Sequence, residues 1–167
     1  FSVKHYFKLK HRIKEFKPDI AHFHMYHHYL SPSVLFLMRR LKRERDIKVV
    51  VTMHNYHLLC ANNCYMRWKA NEPYICEKCN FKKYHKILHY RCDNRNIVFN
   101  FLKYFQHVIA YNILGLQNYI DYIVCPSQFM FDKMKFIFPE EKMKVIRNCV
   151  FNIEKVLPEV KEIAAEI

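Results

Sequence analysis

Glycine is nearly absent: Gly115 is the only one in 167 residues. Turns that need a positive φ must then use other residues, and Asn and Asp tolerate that geometry best. Asn62, Asn63, Asn71, Asn80, Asp93 and Asn94 stand between the periodic segments and are the candidates. Acidic residues are also scarce, with 15 Asp and Glu against 28 Lys and Arg and a formal charge of +13. That balance favours an anionic partner: nucleic acid, membrane headgroups or a phosphorylated ligand. Long apolar runs are missing too. The most apolar stretch, 94–119, is interrupted by Lys103, Gln106, His107 and Asn112 and is too polar for a membrane span. The start, Phe1 to Lys17, repeats Lys, Arg and His where a secretory signal would be apolar. It also begins without Met, which reads as a fragment, and a reducing cytosol is the expected compartment.

What is present is alternation of strands and helices. Val3 to Phe16 has apolar residues at helical spacing, and Pro18 stops it. DIAHFH, Asp19 to His24, reads as a strand with Ile20, His22 and His24 on one face. Ser31-Pro32 opens a helix over Ser33 to Arg45 with a basic end. Ile47 to Thr52 is a β-branched run of the kind buried on both faces of a parallel sheet. After it come a cysteine-rich stretch, a long helical pattern over Asn94–Tyr119 with one broad apolar face turned to the core, and a strand at Asp121–Cys125. Ser127 is the expected N-cap of a helix running to about Phe138, and Lys142–Arg147 is a last strand. Cys125 reads as a buried thiol, and Pro158–Ile167 as a short amphipathic segment. This order predicts an α/β fold, a Rossmann-like parallel sheet with helices on both faces.

The cysteine-rich stretch, 60–92, is far longer than an ordinary strand-to-helix loop. It contains Cys60, Cys64, the Cys76-Glu77-Lys78-Cys79 knuckle and Cys92. A tetrahedral structural zinc needs four soft ligands, and the knuckle supplies two. Cys64, His85 and His89 are further donors, and free thiols are the alternative outcome. His22, His24, His27 and His28 form a second cluster, expected to line a cleft at the sheet's carboxyl edge, with His22 alternatively buried and hydrogen-bonded. His54 follows a buried strand at that same edge, where open α/β sheets bind ligands. His57 lies further into the loop and is expected to matter less.

Four stretches in order, PDIAHFH with LSPS, VVTMHNYHLLC, DYIVCPSQFM and KMKVIRN, resemble the N-terminal, acceptor-side domain of family 4 glycosyltransferases of the GT-B fold. The nearest likeness is to bacterial enzymes of surface-polysaccharide synthesis that carry a cysteine-rich insert. The resemblance implies one half of a GT-B fold: a Rossmann-like domain over 1–153 with the insert at 60–92, then a linker or the start of a C-terminal domain at 154–167. It implies transfer of a sugar from a nucleotide-sugar donor to a polysaccharide or lipid-linked acceptor, of hexosyltransferase type, with retention of configuration. His54 takes the catalytic role, and His24, Asn55, Ser127 and Asn148 contact substrate. Cys60 and Cys92 match the family's cysteine positions and would complete a structural zinc site with Cys76 and Cys79. Asn55 stands where members often carry Asp, and Arg147-Asn148-Cys149 replaces a Pro-Asn-Gly turn. No glycine-rich first loop precedes Phe1, the one glycine falls inside a predicted helix, and no donor-binding half follows, so this chain alone is expected not to turn over nucleotide sugars. The implied location is cytoplasmic, peripheral on the anionic inner face of the membrane. The rival reading is a zinc-stabilised basic nucleic-acid-binding module, with Phe81, Tyr84 and Tyr90 stacking on single strands beside the Lys82-Lys83-Tyr84-His85-Lys86 run. A non-catalytic interaction domain is the third.

Overall fold

The computed structural model describes residues 2–29, 31–69, 72–79, 81–93 and 95–148. Cys149, the expected linker at 154–167 with its amphipathic segment, and the turn candidates Asn71, Asn80 and Asn94 lie outside the described residues.

Helix α1 spans Val3–Phe16. The Ser2 hydroxyl caps its start by accepting from the His5 N–H, and Lys17, left-handed at φ 49°, closes its end onto the Ile13 carbonyl. Only Tyr6 and Ile13 are buried on it, so most of its surface is a solvated, lysine-rich face. Strand β1 is Ile20–His24, with Phe23 buried and Ile20, His22 and His24 exposed together, as the alternation predicts. A short turn of helix, α2, covers Tyr26–Tyr29. Helix α3, Ser33–Glu44, packs against α1 and buries Val34, Leu35, Leu37, Met38 and Leu41. Strand β2, Lys48–Thr52, follows, and Val49 and Val51 are almost wholly buried. Each buried valine contributes about 1.5–3 kcal/mol of transfer free energy.

The insert then forms an antiparallel hairpin, β3 (Met66–Lys69) with β4 (Glu72–Ile75), and the short helix α4, Lys86–Tyr90. Neither is announced by a periodic pattern long enough to read. Helix α5 covers Ile97–His107 and widens into a π-helix over Val108–Ile113. Gly115 follows at φ 57°, a left-handed break, and a 3₁₀ turn spans Leu116–Tyr119. The expected single long helix is therefore interrupted, and the glycine lies at the interruption. Strand β5 is Tyr122–Cys125, helix α6 is Gln128–Met134, and strand β6 is Met143–Val145. Ser127 caps α6 by accepting from the Met130 N–H at 3.2 Å. Cys125 is fully buried, as expected, and burial pushes its thiol up to about 11.

The four main strands form one sheet in the order β1-β2-β5-β6, with every neighbouring pair parallel. All four carboxyl ends therefore meet at one edge. At the opposite end Asp121 fastens the sheet, since its carboxylate accepts from the Val49 N–H at 2.7 Å and pairs with Lys42. Burial works upward on Asp121, but Lys42 and Val49 outweigh it and hold the carboxyl below its ordinary range.

Two sequence expectations fail here. Among the described residues, positive φ falls mostly on residues other than Asn or Asp: Lys17, Met25, Ser31, Tyr65, Phe81, Lys82 and Arg91 take it, and of the described candidates Asn63 does. Each such side chain costs roughly 1–2 kcal/mol that surrounding packing must offset. The second failure is the orientation of α5. Val98, Leu102, Phe105, Ile109 and Ile113 are exposed, whereas Asn100, His107, Ala110 and Tyr111 are buried. The inner side of this helix is polar and aromatic because it meets hydrogen-bonding partners. His107 reaches the His57 carbonyl, and Asn100 bonds the Asp93 backbone.

Candidate active site

The carboxyl edge collects two histidine assemblies. The outer one is exposed. His24 Nδ1 lies 3.0 Å from His54 Nε2, with the rings stacked at 5.3 Å between centroids. One ring must donate and the other accept, so the pair carries at most one positive charge while this bond is formed. His22 sits beside them, its ring 4.5 Å from that of His24 and its Nε2 2.8 Å from the Thr52 hydroxyl. Partial burial, then the neighbouring His24, push the His22 imidazole below its ordinary range. His22 is nonetheless exposed, which corrects the alternative that placed it in the core.

The inner assembly is centred on Asn55. The backbone N–H of His57 donates to Asn55 Oδ1 at 3.2 Å, which fixes the amide orientation. His57 Nδ1, 2.9 Å from the same oxygen, must therefore donate as well. The amide nitrogen donates to His27 Nε2 at 3.1 Å. His57 Nε2 is left to accept from the Tyr26 hydroxyl at 2.9 Å, and the Tyr111 hydroxyl stands 3.3 Å from that of Tyr26. The rings of His27 and His57 stack in parallel at 4.0 Å. Burial raises the phenols of Tyr26 and Tyr111, so both stay protonated as donors. An aspartate at position 55 would accept from His57 but could not donate to His27. Asn55 thus has its own structural logic where a carboxylate was the family pattern.

His57 is only 2% exposed, so it is a structural anchor beneath the edge and not an incidental loop residue. His107 braces it from α5, with Nε2 3.0 Å from the His57 carbonyl and Nδ1 2.8 Å from that of Lys103. Two carbonyls would suit a charged ring. Burial outweighs them and lowers His107 to about 4, so the neutral ring donates to one carbonyl only. Sequence spacing does not mark His57, Tyr26, His107 and Tyr111 as one network, because they come from three separate segments and only His107 and Tyr111 share a helix. Met25, left-handed at φ 46°, turns the chain from β1 into this network, a strained position of the kind that collects at functional sites.

Of the residues expected at the site, the catalytic candidate His54 touches the substrate-contact candidate His24, and Asn55 belongs to the inner assembly through His27 and His57. Ser127 and Asn148 follow β5 and β6 at the same carboxyl edge, and both are exposed. Ser127 is already engaged as the α6 cap. The side chain of His28 lies outside the described residues.

The insert gathers its thiols. Cys60 hydrogen-bonds both Cys64 and Cys79, with Cys76 and Cys92 close enough to couple electrostatically. The bond from Cys60 holds Cys79 below its ordinary range against its burial. Cys60 itself is pulled down by Cys64, but Cys79 and burial outweigh that and raise it, while burial pushes Cys92 up to about 11. The donors are those of a zinc site in kind. Among the described residues, however, no group of three or more His, Cys, Asp or Glu is placed to hold a metal ion. The insert is pinned to α5 by Asp93, which bonds Arg95 through both oxygens and pairs with Lys103 at 2.8 Å. Tyr84 is fully buried with its hydroxyl on the Leu58 carbonyl, which removes it from any base-stacking role.

No curated protein and no solved structure matches the chain. The family model described as Glycosyltransferase Family 4 matches residues 1–151, which include every strand of the sheet and both histidine assemblies. On that match, and with a four-stranded parallel sheet of Rossmann-like form, the chain belongs to glycosyltransferase family 4 and carries its N-terminal type of domain.

Proposed function

We propose that this domain is the acceptor-side half of a GT-B enzyme, moving a hexosyl group from a nucleotide-sugar donor to a polysaccharide or lipid-linked acceptor in bacterial surface-polysaccharide synthesis on the cytoplasmic side. The observation that carries this reading is the exposed His24–His54 pair at the carboxyl edge of four parallel strands. In such a transfer an acceptor hydroxyl oxygen bonds to the anomeric carbon. The bond from that carbon to the diphosphate oxygen breaks, and the hydroxyl proton must leave. A histidine at the edge suits either charge change: neutral it takes a proton, and charged it stabilises the departing diphosphate. His24 holds the ring of His54 in place, and the buried Asn55–His57–Tyr26 network holds the loop on which His54 stands. Ser127 and Asn148 complete the rim. A titration of the imidazole NMR signals tests the reading. Adding an acceptor glycan or a polyprenyl phosphate should move the His24 and His54 signals and leave the buried His107 signal in place. Ligand binding that leaves the first pair unmoved would refute it.

The thiol cluster supports a second, structural proposal: a zinc bound through Cys60, Cys76, Cys79 and Cys92, with Cys64 adjacent. The supporting features are an all-thiol donor set and the acidified Cys79 within it. Four protein ligands would leave no open position, so such a metal would hold the insert and take no part in transfer. Elemental analysis of anaerobically purified protein should find about one zinc per chain. A content near zero, with every thiol titratable in the native state, contradicts the proposal.

A further inference from the structure

A polar cavity of about 330 Å³ lies between the loop after β2 and α5, lined by Asn63, Arg95, Lys103 and Gln106, with His27 from α2 and Tyr111 from the π-helix. Neither His24 nor His54 lines it. Its volume falls at the small end of ligand pockets. The widening of α5 into a π-helix borders it, and such widenings are frequent at functional sites.

The fold makes no use of the Asn63 side chain. Its backbone already closes the turn at φ 69°: the N–H donates to the Cys60 carbonyl at 2.8 Å, and the carbonyl accepts from the Tyr56 N–H at 2.9 Å. Its Oδ1, by contrast, is sealed from solvent with no hydrogen-bond partner among the described residues. A buried acceptor left in that state carries the desolvation cost of an unmade bond, and a donor entering the cavity would remove it. The adjacent Asn62 differs. Its amide is fully employed, accepting from Lys103 Nζ at 2.6 Å and donating to the Cys92 carbonyl at 2.9 Å.

Arg95 and Lys103 supply the charge. Asp93 holds both, accepting from Arg95 Nη2 at 2.7 Å and pairing with Lys103 at 2.8 Å. Two cations against one carboxylate leave positive charge in excess, and no Asp or Glu lines the cavity. A guanidinium and an ammonium both keep hydrogens beyond those that Asp93 and Asn62 take. Since Asp93 already fixes the two side chains, an anion meets preset donors and less rotamer freedom is lost on binding. A bare anion brings no donor for Asn63 Oδ1, however, and a neutral polyol leaves the charge unanswered. A molecule with an anionic group and a hydroxyl together satisfies both.

We propose that this cavity binds a small anionic sugar, with its phosphate or carboxylate on Arg95 and Lys103 and a hydroxyl donating to Asn63 Oδ1. The site rests on the cavity alone and does not require the sugar-transfer reading. Calorimetric titration of the 167-residue chain with glucose 6-phosphate and with glucuronate, beside glucose and inorganic phosphate, tests it. At least one of the anionic sugars should bind about ten-fold or more tightly than glucose or phosphate, and the tighter of the two identifies the anionic group. Asn63→Gly keeps the left-handed backbone and deletes the orphaned acceptor, so binding should weaken about ten-fold while the unfolding midpoint holds or rises. Arg95→Gln, at an exposed residue, should weaken binding about ten-fold as well. His54→Ala should bind as wild type. No binding of either anionic sugar, equal binding of inorganic phosphate, or unchanged binding by the Asn63 and Arg95 variants would overturn the proposal. So would binding that is lost in His54→Ala and kept in Asn63→Gly, which would put the ligand at the carboxyl edge.

Discussion

Replacing His57 by Ala should destabilise the fold far more than replacing His54, although the two stand three residues apart. The His57 ring is 2% exposed and makes side-chain bonds to Asn55 Oδ1 and the Tyr26 hydroxyl at 2.9 Å each. Its removal forfeits two bonds worth about 1 kcal/mol together after the partners' residual contacts are counted. Asn55 Oδ1 keeps the backbone N–H, and Tyr26 keeps Tyr111. Loss of the ring's stacking on His27 at 4.0 Å, with the void left behind, adds about 2 kcal/mol. The sum is about 3 kcal/mol, or roughly 6–12 °C in Tm for a chain of this size. His54 is exposed and gives up one exposed bond to His24, so His54→Ala should stay within about 0.5 kcal/mol. Thermal and urea unfolding of both variants near neutral pH, beside wild type, measures the difference. A His57 variant that melts within about 2 °C of wild type, or a His54 variant equally destabilised, would show that the buried network does not anchor the edge.

Acid should weaken the fold through His107. Its folded value lies near 4, below the ordinary 6.5, so between these the unfolded chain binds the extra proton. Stability present above pH 6.5 is then lost as pH falls toward 4, and His107→Gln should flatten that part of the urea-midpoint profile; an unchanged slope would assign the loss elsewhere. Asp93→Asn should cost about 2 kcal/mol by leaving Arg95 and Lys103 short of an acceptor. Because the Asp93 carboxylate is only 6% exposed, the loss in Tm should be nearly the same at low and high salt. A loss that vanishes in high salt would mean a solvent-screened pair.

The four strands of the parallel sheet, the Ser127 cap and the buried Cys125 were legible because they depend on local rules: β-branched runs, capping chemistry and short-range burial. The exposed face of β1 was legible too, since alternation alone assigns Ile20, His22 and His24 to one side. Periodicity also found the apolar stripe of α5, but a stripe does not say what it faces. The fold turned it outward because Asn100, His107 and Tyr111 have their partners inside. The left-handed positions at Met25 and Tyr65 were illegible, since tertiary packing overrides intrinsic preference there. The edge position of His54 followed from strand order. Its bond to His24 and the network under His57 join segments distant in sequence, and such pairings leave no trace in spacing.

On the proposed reading His54 works at the cleft while His57 works in the fold. Sugar transfer by the His54→Ala variant, assayed in the enzyme assembled with its donor-binding half, tests it most directly. A fall of about 100-fold or more is expected, as for loss of a positioned catalytic group, with the unfolding midpoint unchanged. Near-normal transfer by that variant would contradict it.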